Sequence, residues 1–388
     1  MKTDKKTILY LMEYPIDLPG GGQESTKTLC EGVKKSGEYE PIVACPALLS
    51  TSPKDYDYKV ITYPSDENRE LSKLRRIANF IRRIRCFKQI IGEVQPDLIH
   101  VSMSESLITY GFLRIPGLFK NIPFVYTDRG LRTGYRKHSL ICIKSTMKHA
   151  SRMLTTTKYN AGLWEGEIAA PVTVIPNTIS GAFSEYDENG RKKARDVYKI
   201  PEGMPVIGFA GRISEEKDWG KAAKVVEEIA NAGIRFKVAL VMSVYEDRDA
   251  EIVKEVKEGI INIIGEDNLI YMQDLTQKEI SDYYYLVDFF IMTSCFESFG
   301  KAAVEAMSRK CIVLSTAVGG LPEVIGNRED LYEMGDLSKL ASRIRFLTDN
   351  PDAAGREREM FYNRYRDNYT PDKNIEGHLK VYREILGK

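Results

Sequence analysis

Long apolar runs are missing from this chain of 388 residues. None approaches the roughly 20 residues that a membrane-spanning helix needs, so a helical integral membrane protein is excluded. The opening MKTDKKTILYLMEYP carries basic residues and then a short apolar run. That run is too short for a secretory leader and is interrupted by Glu13, so it reads as a first buried strand. The six cysteines (Cys30, Cys45, Cys86, Cys142, Cys295 and Cys311) show no C-x-x-C spacing. Neither a zinc site nor a disulfide frame is expected, and reduced cytosolic thiols fit better. An excess of charge is missing too: 56 basic residues face 55 acidic ones. With no recognised nucleic-acid motif, that balance argues against a nucleic-acid partner.

What is present is the composition of a soluble globular protein, in a chain longer than one hydrophobic core usually serves. Two domains are therefore expected. The charge is unevenly divided between them, with 26 Lys and Arg against 18 Asp and Glu up to Pro176, and 30 against 37 beyond it. A basic half joined to an acidic half suggests that the first half meets something anionic.

The first half alternates short apolar runs (Thr7 to Met12, Pro41 to Cys45, Val60 to Tyr63, Leu98 to Val101, Pro123 to Thr127) with helical patterns. Such alternation predicts a parallel sheet covered on both faces. After the first run come Pro19-Gly20-Gly21-Gly22 and a helix over Glu24 to Lys35. Glycines between strand and helix let backbone amides approach a phosphate or sugar, although Ser25 stands where a full G-x-G-x-x-G needs its third glycine. A plain loop is the competing reading of Gly21 and Gly22.

From Leu71 to Ile91 the chain is strongly polarised. Leu71, Leu74, Ile77, Ile81, Ile84 and Ile91 form an apolar stripe at helical spacing, and Lys73, Arg75, Arg76, Arg82, Arg83, Arg85 and Lys88 crowd the other faces. A basic amphipathic helix can lie on an anionic membrane surface. The alternative is a surface helix whose stripe packs on the core. Further on, Tyr126 to Tyr135 ends an apolar run in polar residues, which makes Asp128, Arg129 and Arg132 candidates for substrate contact, or else parts of a capped loop.

Val172 to Thr178 is a strand stopped by Pro176, and the polar stretch Ser180 to Lys193 follows. The domain crossover is expected here, giving residues 1–178 and 179–371. The last helix, from Asp372, has no strand after it and is expected to fold back across the junction. The second half repeats the α/β rhythm, with strands at Pro205 to Ala210, Phe236 to Met242, Asn268 to Met272 and Phe289 to Thr293. Two Rossmann-like domains facing across a cleft are the expected fold.

Two places in this half carry chemistry. Arg212 and Lys217 sit in a strand-to-helix turn, where two cations and backbone amides suit a diphosphate. From Thr293 to Ile325, Glu297 and Glu305 flank a helix start, with Ser298 as the expected N-cap and an anion-accepting terminus near Phe299, Gly300 and Lys301.

Together these motifs, VIPN (Val174 to Asn177), GFAGRISEEK (Gly208 to Lys217), ESFGKAAVE (Glu297 to Glu305) and VGGLPEVI (Val318 to Ile325), resemble the retaining glycosyltransferases of family 4, of the GT-B fold. The resemblance covers the second half nearly throughout, Asp288 and Ser294 included, and is thinner in the first. It implies a donor-binding second domain and an acceptor-binding first one. Glu305 would hold the donor ribose, Glu297 the donor sugar, and Arg212 with Lys217 the diphosphate. The amides of Phe299, Gly300 and Lys301 would touch sugar or phosphates, and the backbone near Tyr271 and Met272 the base. Neither a metal nor any other cofactor is implied. The partners implied are a nucleotide sugar and a glycan or lipid-linked acceptor, in the cytoplasm or at the inner membrane face. One departure concerns Thr127-Asp128-Arg129-Gly130, where many relatives have Thr-Phe-His-Gly. Arg129 cannot act as a general base at ordinary pH, and Asp128 is the nearest substitute.

Competing readings are a metal-dependent transferase using D-x-D (Asp55-Tyr-Asp57 or Asp247-Arg-Asp249), a nucleotide-sugar epimerase of the same fold, and a non-catalytic sugar-nucleotide-binding or membrane-scaffold protein.

Overall fold

A computed structural model describes residues 5–18, 20–47, 55–64, 73–183, 185–244 and 249–387. Of the residues singled out above, Pro19, Leu71 and Asp247 lie outside these. The chain divides into two compact units, one of Met1–Thr178 with Pro371–Lys388, the other of Ile179–Thr370.

The first unit holds a seven-stranded, all-parallel sheet: β1 (Lys6–Leu11), β2 (Tyr39–Pro46), β3 (Lys59–Tyr63), β4 (Leu98–Ser102), β5 (Phe124–Asp128), β6 (Arg152–Thr155) and β7 (Val172–Val174). Their order is 3-2-1-4-5-6-7. Helices on both faces bury the near-continuous apolar strands, as parallel sheets require. β6 had no sequence signal of its own: SRMLTTT is short, and more than half of it is Ser and Thr. The order reverses between β1 and β4, so the chain leaving β1 into Gly20–Gly22 stands at a topological switch point.

The C-terminal helix, Pro371–Leu386, belongs to this first unit. Its Leu379, Val381 and Tyr382 join the core formed by Ile8, Tyr10, Leu29 and Val33. Arg383 pairs with Glu38 at 2.8 Å and Lys6 donates to the Leu386 carbonyl at 2.6 Å. Asn374 donates to the Pro176 carbonyl at 2.6 Å, joining the helix to the segment that leaves for the second unit.

The second unit holds six parallel strands: β8 (Val206–Arg212), β9 (Lys237–Ser243), β10 (Leu269–Gln273), β11 (Phe289–Met292), β12 (Ile312–Thr316) and β13 (Leu331–Tyr332). They are ordered 10-9-8-11-12-13, with the switch point between β8 and β11. Asp288 anchors the lower end of β11. It accepts from Arg191 (2.6 Å), Arg195 (2.9 Å), Arg358 (3.0 Å) and the Val206 N–H (3.0 Å). Burial alone would raise its carboxyl pKa, but the three guanidiniums outweigh burial and hold it below the ordinary value. Asp288 is thus a clamp at the sheet end opposite the motifs described next.

Candidate active site

In parallel sheets ligands collect beyond the carboxyl ends of the strands at the switch point. In the second unit that position is flanked by the turn after β8 and the loop after β11. The turn carries Arg212, exposed at the end of its strand, and Lys217, half-buried. Trp219, buried beneath, donates from Nε1 to the Arg212 carbonyl at 2.9 Å. The loop after β11 is tied to this turn through backbone: Thr293 Oγ1 donates to the Lys217 carbonyl at 2.7 Å, and the Cys295 N–H to the Glu216 carbonyl at 2.9 Å. On its other side Thr316 Oγ1 donates to the Ser294 carbonyl at 2.6 Å, and the Gly320 N–H to the Glu297 carbonyl at 3.1 Å. Held from both sides, the loop presents Glu297 to Lys217, and Nζ meets Oε2 at 2.6 Å.

The helix that follows spans Lys301–Met307, so Glu305 lies about one turn into it. Its N-cap is Gly300, not the expected Ser298, with φ 88° and no side-chain cap. Two facts require glycine there. Positive φ disfavours a side chain, and a Cβ would come within 2.5 Å of Leu321 Cδ2. Phe299 is buried, edge-on to Tyr369 with ring centroids 5.7 Å apart. Glu305 is nearly buried, and Tyr284 Oη donates to its Oε2 at 3.2 Å. Tyr271 and Met272 lie on edge strand β10, two strands away from β8. Lys257 Nζ sits 4.3 Å from the Tyr271 ring centroid, and the Tyr198 hydroxyl is 3.9 Å from Met272 Sδ.

The first unit brings a different set together. Gly21 and Gly22 open the helix Gly21–Ser36. A Cβ on Gly22 would fall 2.1 Å from Met103 Cε and 3.8 Å from Arg129 Cδ, so the glycine makes room for two side chains from the strand ends. Ser25 Oγ lies 2.6 Å from the Gly21 carbonyl and 2.8 Å from Asn177 Oδ1, an atom that also receives Arg129 Nη1 at 3.4 Å. Burial pulls the Arg129 guanidinium down to about 10.

Asp128 is fully buried and wrapped in donors. Oδ1 accepts from Tyr135 Oη (2.5 Å) and the Gly130 N–H (3.2 Å), and Oδ2 from Trp164 Nε1 (2.7 Å) and Asn160 Nδ2 (3.0 Å). Arg132 is paired with Glu167 at 2.7 Å and lies over the Trp164 ring.

Sequence reasoning missed the residues around these. His100 bonds Tyr382 Oη at 2.6 Å through Nδ1 and Thr127 Oγ1 at 2.7 Å through Nε2, and its ring stacks on His378. Burial depresses both imidazoles, that of His378 to about 4. Glu13, just beyond β1, accepts the Glu105 and Ser106 N–H groups at 2.8 and 3.3 Å and so caps the helix Ser104–Arg114. Burial, and then the charge of Glu105, raise its pKa to about 7.

Comparison with known proteins agrees with this architecture. The model of Glycosyltransferase Family 4 matches residues 19–181, and that of Glycosyl transferases group 1 matches residues 190–367. The 2-deoxystreptamine glucosyltransferase of Streptomyces kanamyceticus is 29% identical over 211 residues, 53% of either chain, so the alignment spans about half that relative's length. Sucrose-phosphate synthase of Thermosynechococcus elongatus superposes with a TM-score of 0.83 at 18% identity, over 99% of this chain and 100% of that one. HepE of Anabaena, solved in complex with UDP and glucose, superposes with a TM-score of 0.76 at 15% identity, over 98% and 100%. Two parallel α/β sheets of this kind define the GT-B fold. The chain belongs to glycosyltransferase family 4.

Proposed function

We propose that the chain is a retaining transferase that moves a sugar from a nucleotide-diphosphate donor, in the first instance a UDP-sugar, to a glycan or lipid-linked glycan. Synthesis of capsule, exopolysaccharide or another cell-surface glycan is the corresponding setting, in the cytoplasm and peripherally at the inner membrane face. The observation that carries this reading is the Lys217–Glu297 pair at the β8/β11 switch point, with Arg212 on the same turn and Glu305 one helical turn into the adjoining helix. Carboxylates suit sugar and ribose hydroxyls, and fixed cations suit a diphosphate. HepE, which superposes over nearly the whole chain, was solved with UDP and glucose, which makes UDP-sugars the first donors to test.

In this reading Glu297 orients the donor sugar and Glu305 the ribose, with the backbone of Tyr271 and Met272 toward the base. As the bond from the anomeric carbon to the diphosphate breaks, Arg212, Lys217 and the amides of Phe299, Gly300 and Lys301 take up the charge developing on oxygen. The acceptor hydroxyl forms the new bond on the same face, and its proton passes to the departing diphosphate. No metal is assigned a role. On the acceptor side the candidates are Arg129, Asp128 and Arg132, with Asp128 held by Trp164, Asn160 and Tyr135 and Arg132 paired with Glu167. Gly21 and Gly22, which open their helix, are assigned to the donor, offering backbone amides to a phosphate or sugar.

The test is a screen of nucleotide sugars for binding and slow donor hydrolysis, run beside Glu297→Ala. One donor should be hydrolysed by the native chain and spared by the variant, with the circular dichroism of the two identical. If no nucleotide sugar is bound or cleaved, the reading fails; if Glu297→Ala hydrolyses normally, the role of Glu297 fails.

A further inference from the structure

The apolar stripe of the basic helix Lys73–Val94 does not behave as one surface. In its second half Phe87, Ile90 and Ile91 are buried in the first unit's core. In its first half the apolar side chains face outward: Leu74 is 80% exposed, Ile77 56% and Ile81 43%. They continue onto the neighbouring helix Ser104–Arg114 and the turn after it, where Phe112 is 53% exposed, Ile115 48% and Leu118 40%. Phe80 meets Phe112 edge-to-face with centroids 5.1 Å apart, so the two apolar groups lie on either side of one contact. Scattered exposed apolar residues are ordinary, but six large ones on two helices joined by an aromatic contact, and on the turn after the second, point to an interaction surface.

The surrounding charge selects the occupant. The helix Lys73–Val94 carries seven basic residues and a single acid, Glu93, near its end. Arg75, Arg82, Arg85 and Lys88 are exposed. The acid facing them from the next helix, Glu105, is paired with Arg83 at 3.3 Å. Aliphatic and aromatic side chains set among long cations match the boundary of an anionic bilayer, where apolar groups enter the headgroup region and Lys and Arg stay with the phosphates. Among the described residues no helix is long and apolar enough to cross a membrane, so the contact would be interfacial.

We propose that this face docks on an anionic lipid surface, with Leu74, Ile77, Ile81, Phe112, Ile115 and Leu118 inserted and the helix's arginines at the phosphates. It gives the transferase reading a lipid-borne acceptor, and rests on that reading only in this respect.

The test is flotation of the full chain, without nucleotide sugar, on phosphatidylcholine vesicles with and without roughly one-third phosphatidylglycerol. Binding is expected to the anionic vesicles alone, and it should disappear in Arg75→Glu/Arg85→Glu. Leu74→Ser/Ile77→Ser, at exposed positions, should weaken binding about tenfold at equal charge. Trp emission of Ile77→Trp should shift to the blue on binding. Failure to float, flotation untouched by both double variants, or a patch-dependent dimer in sedimentation would each overturn the proposal. Donor hydrolysis is measured on the same samples without vesicles. Lost flotation with intact hydrolysis therefore removes the docking surface alone, and intact flotation without hydrolysis removes the transferase reading alone.

Discussion

Replacing Asp128 by alanine should loosen the first unit while leaving the second intact. The carboxylate is fully buried and receives the Tyr135 hydroxyl, the Asn160 amide and the Trp164 indole N–H. Each donor left without an acceptor costs about 1–3 kcal/mol, and water entering the gap recovers part of this, so a net loss of about 3–5 kcal/mol is expected. With a urea dependence of roughly 2 kcal/mol per molar for a unit of this size, the unfolding midpoint should fall by about 2 M. Trp164 and Trp219 are the chain's two tryptophans, one in each unit. Fluorescence of Trp164 in a Trp219→Phe background therefore reports the first unit alone. Asp128→Asn, which keeps one acceptor oxygen but turns an amide toward the donors, should fall between. An unchanged Trp164 midpoint together with lost sugar transfer would refute this reasoning and return Asp128 to the substrate side.

Gly300→Ala should destabilise the second unit by about 2–4 kcal/mol, since it adds strain at φ 88° and a contact with Leu321; Leu321→Ala in the same chain should recover part of that, by urea titration. Lys217→Met should lower kcat by about a hundredfold or more while the thermal midpoint barely moves, because a partly exposed ion pair contributes little to stability and much to a developing oxyanion. Glu13 has a folded pKa raised to about 7 from 4.5, so its contribution is present below pH 4.5 and lost as pH rises through 7; Glu13→Gln should flatten the decline in stability between pH 5 and 8, measured by thermal melts. His378 is depressed to about 4 from 6.5, so its contribution is present above pH 6.5 and lost as pH falls through 4; His378→Gln should remove part of the acid sensitivity in that window.

Much of the second unit's order of elements was legible, and its candidate residues are local in sequence. Arg212 ends β8, Lys217 and Glu297 lie in the loops directly after strands and Glu305 in the short helix beyond, and an apolar run followed by Gly and charged residues marks such strand ends in sequence. What escaped was set by distance or by packing. The donors around Asp128 come from Tyr135, Asn160 and Trp164, and the His100–Tyr382 contact joins residues 282 apart in sequence. Ser298 has the better capping side chain, yet the helix begins after Gly300, where the approach of Leu321 leaves no room for one. Helical periodicity in Leu74 to Ile91 revealed a stripe but not that its two halves meet different surroundings. β13, two residues long, is below what alternation can register.

The placement of the helix Pro371–Leu386 bears on how the chain is made. The sheet of the first unit is translated early, but the side chains that close its core over Tyr10 and His100 reach it only with Leu379 and Tyr382. Ile179–Thr370 is continuous in sequence and carries its own core, so it depends on nothing made after it, whereas the earlier-translated unit waits for the last helix. Until then the nascent first unit exposes an unfinished face, and a chain released before Pro371 should be a substrate for chaperones and proteases even though all seven of its strands have been made.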